Sequence, residues 1–457
     1  MGTKHEASSD PVSDLKKKRK VAFSKPDAGV DANHCIKIYL VSSKDEVGSA
    51  DCLCIEPVDL SPFFEEDGKI YGHQGLKISI WISSISFLAY ADISFESQRD
   101  GGKDITDLKS ALQNIFADNL LEKKEDFLET FSSEEHYIKS TISNAEVVQR
   151  KALTEGETDS NGRKAESNVL EVLRVIGSPV GPLYIRLVSL VLLLIDGSNP
   201  IDVTDPRWVI YVLVKREGEL LNLIGFAAVY RFHRYPDSER LRLGQVLILP
   251  PYQRKGYGRF LLEVINQVAT SEDVYDFTIE EPVDSLQHVR TCIDVQRLLV
   301  FEPIQDVLKA VISSLKQEDS SNISTKCEFD PPYNAIENVR KHLKINKRQF
   351  SQCWEILVYI GLDPVAKETQ VFRSIVSERI KADIIGKLSE TDGKQLIDVP
   401  TEYDEEMSFV MFKSETGEKS SIEVDENLNN NEEQLKELVD MRMKEITSVA
   451  EKVGRHH

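Results

Sequence analysis

The stretch that most constrains the fold is residues 243–262, LGQVLILPPYQRKGYGRFLL. An apolar run stops at Pro250 and Pro251, which cannot donate to a sheet ladder. A loop holding Gly256 and Gly258 follows. Phe260, Leu261, Val264, Ile265 and Val268 then recur at helical spacing. A strand, a tight loop and a helix in that order leave unused backbone N–H groups at the helix start. Together with the helix dipole, those groups form an anion site. The glycines keep Cβ atoms out of the approach, and Arg254 and Lys255 add positive charge. The loop predicts a phosphate-bearing ligand. It is not a P-loop, because GYGRF lacks the Gly-Lys-Ser/Thr ending. Nor is it a dinucleotide fingerprint, because Leu261 stands where the third glycine belongs.

The flanking pattern supplies a sheet. RWVIYVLV (207–214), LLNLIGFAAVYRFHRY (220–235) and LRLGQVLIL (241–249) read as three antiparallel strands separated by short turns. DVYDFTIEEP (273–282) reads as a closing strand ended by Pro282. The intervening helix is a crossover, so the last strand should run parallel to 243–249. Its C-terminal end, at Glu280 and Glu281, then shares a sheet edge with the phosphate loop, where ligands of open α/β sheets bind.

The rest of the chain reads more coarsely. Residues 35–95 alternate at period two and predict strands, with the acidic loop SPFFEEDGKIYGHQG between them. Residues 105–145 read as mostly helical, 154–164 as a polar surface loop, and PVGPLYIRLVSLVLLLIDG as a buried helix. The longest apolar run within it, Leu187 to Ile195, is too short to cross a bilayer, which takes about 20 residues. After residue 300 the periodicity is helical, and 401–440 holds 13 acids against 3 lysines. The first thirty residues are polar and predict disorder. Their KKKRKV, Lys16 to Val21, reads as a nuclear import signal.

Charge narrows the partners. At −20 the chain is a poor match for nucleic acid and a good one for a basic peptide. Six scattered cysteines make no disulfide framework and no zinc spacing, which predicts a reducing compartment and no metal.

The spacing Gln253-x-x-Gly256-x-Gly258, after an apolar strand and opening a helix, resembles the acetyl-CoA motif of the Gcn5-related N-acetyltransferases (GNAT). YGHQGLKI (71–78), IDVTDPRW (201–208), the run 229–263 and DFTIEEP (276–282) further resemble the catalytic subunits of type B histone acetyltransferases. The family loop often has glycine where this chain has Arg254.

The resemblance implies an α+β protein. A disordered basic extension over 1–30 would precede an N-terminal mixed α/β domain over 31–198. A GNAT domain with a mixed, splayed sheet would span 199–300, and a helical domain with an acidic segment 301–457. It implies transfer of acetyl from acetyl-CoA to lysines of newly made histone H4, bound with its histone partner, alongside a WD40 histone-chaperone subunit. No direct nucleic-acid or membrane contact is expected, and the location would be nucleus and cytoplasm. The alternatives are acetylation of a small amine or another protein, and a non-catalytic histone-binding scaffold.

Residue by residue, Val246, Leu247 and Ile248 match the strand that bonds the pantetheine arm. Gln253, Arg254, Lys255, Gly256, Tyr257, Gly258 and Arg259 match the pyrophosphate loop. A lysine amine has a pKa of about 10.4, so neutralising it near pH 7 costs about 4–5 kcal/mol and calls for a general base. Glu280 takes the family's base position and Glu281 the neighbouring acidic one. As adjacent, partly buried acids they would have raised pKa values. Tyr230, Arg231 and Phe232 match a segment lining the histone groove, and Glu66 and Asp67 have the right sign for a basic tail. Cys292 reads as a packing residue and His288 as a solvent-facing helix residue.

Overall fold

The computed structural model describes residues 28–49, 51–64, 67–98, 105–153, 169–317, 329–362, 366–391 and 428–454. The import-signal sequence, the 154–164 loop, Glu66 and most of the acidic 401–440 stretch lie outside them. The chain divides into two compact units, residues 1–141 with 182–201, and residues 142–181 with 202–457.

The first unit is built on a five-stranded sheet. Its strands are β1 (Ile36–Val41), β2 (Cys54–Ile55), β3 (Lys77–Ser83), β4 (Ala89–Ser94) and β5 (Leu120–Leu121), in spatial order β2-β1-β3-β4-β5. Ile36, Ile38 and Leu40 alternate inward, as period two requires. Two helices, α1 (Leu108–Phe116) and α2 (Lys124–Ser133), lie within the mostly helical stretch expected over 105–145. The apolar helix is α3 (Val180–Leu194), with Leu183, Leu187, Leu190 and Val191 fully buried.

The second unit carries a six-stranded sheet. In order these are β6 (Glu146–Ala152), β7 (Val169–Val175), β8 (Trp208–Glu217), β9 (Leu220–Arg234), β10 (Ser238–Ile248) and β11 (Phe277–Ile279). All neighbours are antiparallel except β10 and β11, which are parallel, as the crossover argument requires. β6 and β7 extend this sheet from residues before 199, where the sequence reading begins the catalytic domain.

The crossover helix α4 (Tyr257–Ser271) lays Leu261, Leu262, Val264 and Ile265 on one sheet face, against Val209, Tyr211, Ala227, Val229, Leu241 and Leu243. Burial of each such side chain stabilises by roughly 1.5–3 kcal/mol. Beyond it come α5 (Asp284–Leu299), α6 (Gln305–Gln317), α7 (Tyr333–Leu343), α8 (Lys347–Gly361), α9 (Ala366–Thr391) and α10 (Leu428–Gly454). In α10 the residues Val439, Met443, Ile446, Val449 and Val453 are buried in a shared core with α5 and α8, so this stripe is packing surface. Within the second unit the helices also reach the sheet. The Phe277 N–H donates to the Lys344 carbonyl at 2.8 Å, which sets Ile345 beside β11.

Candidate active site

β10 and β11 part where the phosphate loop begins. Their register runs only from Leu241↔Phe277 to Leu243↔Ile279, with one further bond from the Glu280 N–H to the Leu243 carbonyl at 2.9 Å. Glu281 then takes a left-handed φ of 35° ahead of Pro282, and the chain leaves the sheet. β10 runs on to Ile248, so its far half has an open edge.

Strand alternation decides which groups line that edge. The Leu249 N–H donates to Ile224 on β9 at 2.9 Å. Leu247 has the same parity and also faces β9, so the amides of Val246 and Ile248 face the opening. Leu247, expected to join them, contributes no backbone group to the edge. The Ile248 carbonyl accepts from the Gln253 side chain at 2.9 Å, which gives the motif glutamine a role in holding the loop. On the β9 side Gly225 is required. A Cβ there would lie 2.5 Å from the Leu247 carbonyl oxygen.

The loop continues the row of donors. Pro250–Tyr252 form a single 3₁₀ turn, Arg254 is left-handed (φ 61°), and Gly256 is left-handed (φ 85°) as the N-cap of α4. Two left-handed residues spaced this way turn successive N–H groups towards one concavity, an anion nest. Gly256 uses no side chain as a cap, and the first bond back to its carbonyl comes from Phe260 at 3.0 Å. The amides of Tyr257, Gly258 and Arg259 are therefore left for a ligand. A Cβ on Gly256 would meet nothing within 4 Å, so the approach is open. The Arg259 guanidinium instead bonds Glu263 at 2.8 Å and Gln296, leaving Arg254 and Lys255 as the loop's exposed cations.

A left-handed arginine costs about 1–2 kcal/mol relative to glycine. Arg254→Gly should therefore raise stability, while the lost cation should raise the acetyl-CoA KM a few-fold and weaken its dependence on salt. Thermal melts and KM values at two ionic strengths test this. An unchanged salt dependence would show that Arg254 does not face the phosphates.

The carboxylates stand where the strands part. Register places Gly244 in a β-bulge, because Gln245 pairs with Ala228 and Leu243 with Val229. A Cβ on Gly244 would lie 3.1 Å from the Trp208 indole and 3.6 Å from Glu280 Oε2. Trp208 and Glu280 thus converge over Gly244, where a Cβ would press on the indole. Glu280 and Glu281 are both exposed, where partial burial was expected, because Pro282 ends the strand at the molecular surface.

Next to Trp208 is an aromatic ledge. Trp208 meets Tyr230 edge-on at 5.0 Å, Tyr230 meets Phe232 at 4.5 Å, and Arg242 lies over Phe232 at 4.5 Å. Tyr230 and Phe232 share this face, which is the one opposite α4. Arg231 takes the other face and pairs with Glu239 (2.5 Å) and Glu272 (2.8 Å), so it is a structural ion-pair residue and not a groove residue. In the first unit Asp67 accepts from the Tyr71 hydroxyl and from the Lys69 N–H, which commits its carboxylate to a local turn. Sequence reasoning gave no role to Trp208, although IDVTDPRW ends on it, nor to Gly244.

His288 and Cys292 lie on α5, whose Gln296 bonds the loop's Arg259. Cys292 is buried, and burial pushes its thiol pKa up. His288 is half-buried, with its Nε2 3.7 Å from the Cys292 sulfur and 3.5 Å from Lys452 on α10, so it is not solvent-facing. Burial and the lysine charge lower its pKa.

Comparison with known proteins decides the family. Residues 28–196 match the model of the histone acetyl transferase HAT1 N-terminus, and residues 196–286 match the acetyltransferase (GNAT) family. A histone acetyltransferase type B catalytic subunit of Arabidopsis thaliana is 50% identical over 465 residues, covering 100% of this chain and 98% of that protein. The chain belongs to the type B histone acetyltransferase catalytic subunits. One from Zea mays is 46% identical, covering 96% of this chain and 93% of its own length. The protein is accordingly a histone acetyltransferase with a GNAT domain, and its α+β architecture is the one that the loop motif implied.

GNAT acetyltransferases use acetyl-CoA, and the residues present fit it. The Val246 and Ile248 edge offers strand-like bonds to an amide-bearing arm. The left-handed turns at Arg254 and Gly256 offer amides to a diphosphate.

Proposed function

We propose that this acetyltransferase acetylates lysine side chains in the N-terminal tail of newly synthesised histone H4, by direct attack of the amine while both substrates are bound. The convergence of Glu280 and Trp208 over Gly244, at the point where β10 and β11 part, carries this reading. Acetyl-CoA, when bound, would supply an activated acyl thioester, whose C–S bond breaks as the amide bond forms, the coenzyme leaving as its thiol. The chain's own residues do the rest. Val246 and Ile248 hold the pantetheine arm, and the amides from Arg254 to Arg259 hold the diphosphate. Trp208 and Tyr230 flank the lysine stem, and Glu280 takes the ammonium proton, with Glu281 beside it adding negative charge. Cys292 is buried on α5, which suits direct transfer without an acetyl-cysteine there. The net charge of −20 suits a basic tail.

On the same reading histone H4 arrives with its histone partner and a WD40 histone-chaperone subunit, and the enzyme works in nucleus and cytoplasm. Incubation of the purified chain with acetyl-CoA and either an H4 tail peptide or a polyamine, read by mass spectrometry, tests the substrate. At equal concentration the peptide should react at least ~100-fold faster. A preference for the polyamine would overturn the substrate assignment. Cofactor binding by calorimetry without turnover on any histone would mark a scaffold.

A further inference from the structure

Tyr230 is held on the half-buried ledge by more than ring contacts. Its hydroxyl donates to Asp205 Oδ2 at 2.8 Å. Asp205 is itself clamped by Arg207, whose Nε reaches Oδ1 at 3.0 Å and whose second nitrogen reaches Oδ2 at 2.8 Å. The Arg207 backbone N–H closes the same turn on Oδ1 at 3.0 Å. The Arg207 guanidinium also lies over the Tyr230 ring at 4.9 Å. In register, Tyr230 stands opposite Trp208 on β8 and opposite Arg242 on β10. The charged groups around the phenol are thus Asp205 and Arg207 from the segment before β8, and Arg242 from β10.

We propose that Asp205 is a positioning residue that acts through Tyr230. By accepting the hydrogen bond that the phenolic O–H donates, it leaves the Tyr230 oxygen with only lone pairs to offer, so that this oxygen can accept an N–H from the incoming lysine amine and cannot donate to it. A tyrosine free to rotate its hydroxyl would sample both roles. It could also donate to the amine's lone pair, which is the electron pair needed for attack. Asp205 is suited to this work. The Arg207 side chain, then its backbone N–H, and also the Tyr230 hydroxyl hold its carboxyl well below the usual range, so it stays an acceptor at any working pH. The phenol in turn is shifted upward, by burial first and by Asp205 second. This inference rests on the reading that the ledge receives an acceptor lysine.

A double-mutant cycle with Asp205→Asn and Tyr230→Phe tests it. Alone, Asp205→Asn should lower kcat/KM for the H4 peptide about tenfold with the acetyl-CoA KM unchanged, because the effect is confined to the acceptor side. Against Tyr230→Phe it should have less than a twofold effect. Equal effects in both backgrounds, or a matching rise in the acetyl-CoA KM, would overturn the inference. A second measurement needs no acceptor. With tyrosines labelled at Cζ, the Tyr230 signal is identified by its loss in Tyr230→Phe, and in Asp205→Asn its ionisation should move to lower pH. An unmoved titration overturns the positioning role. A shifted titration in a protein that does not acetylate the peptide upholds that role and overturns only the acceptor assignment.

Discussion

Glu280→Gln is expected to bind acetyl-CoA with unchanged affinity and to lose about 10²–10⁴-fold in kcat at neutral pH, the usual worth of a positioned general base. The affinity should hold because the groups assigned to the cofactor lie on β10 and in the loop, not on β11. The variant also carries a diagnostic pH dependence. Without the base, the residual reaction must draw on amine that is already neutral. Near pH 7.4 that fraction is about 10⁻³ for a pKa of about 10.4, and it grows tenfold per pH unit. The variant's rate should therefore rise with a slope near one up to about pH 10, while the wild type rises less steeply and the gap narrows. Isothermal titration with acetyl-CoA and a kcat profile from pH 6.5 to 9.5 measure both arms. Near-normal turnover at pH 7 would remove Glu280 from the mechanism. A parallel profile, offset but of the same shape, would make it a binding residue instead.

The strand–loop–helix unit was legible because its signals are local. The period changes from two to 3.6 across Pro250 and Pro251, and the glycines mark the turn. The parallel placement of β11 was legible too, because the hand of a crossover leaves few alternatives. What escaped depended on pairing between distant residues. Nothing in Glu146–Ala152 or Val169–Val175 announces that they extend the sheet beside β8, since any half-buried strand could do so. Trp208 and Glu280 meet over Gly244 through two registers at once, the bulged β9–β10 pairing on one side and the parallel β10–β11 pairing on the other. Two errors were avoidable. Alternation alone puts Arg231 on the face opposite Tyr230 and Phe232, and turns Leu247 away from the edge used by its neighbours. The burial expected for Glu280 failed because two adjacent acids followed by a proline end a strand at the surface more readily than inside it.

Asp276→Ala should be the most destabilising single change near the site. Arg240 and Asp276 form a buried pair, at 2.6 Å from Nε to Oδ1 and 3.0 Å for the second bond, with Asp276 only 1% exposed. Removal of Asp276 takes the carboxylate away from a buried guanidinium, which costs about 3–5 kcal/mol. Its location makes the effect functional as well as structural. Asp276 immediately precedes β11, and bonds from Leu241 to its carbonyl (3.1 Å) and from Tyr275 to Glu239 (2.7 Å) start the parallel register. Four residues on, that register delivers Glu280 to Gly244. The loop of residues 250–259 hangs from β10 and α4 and does not depend on this pair. Urea unfolding should therefore show the full loss of stability. The surviving folded enzyme should lose more in kcat than in acetyl-CoA affinity. Replacement of both partners by apolar residues of similar volume should restore much of the stability, because no charge is then left unpaired. Such a double variant tells the two contributions apart: if stability returns while kcat stays low, the ion pair sets the register that aims the base, and if both return, any tight packing at that point suffices. A loss below about 1 kcal/mol in Asp276→Ala would mean that water reaches Arg240 and that the pair is not the clamp on β11.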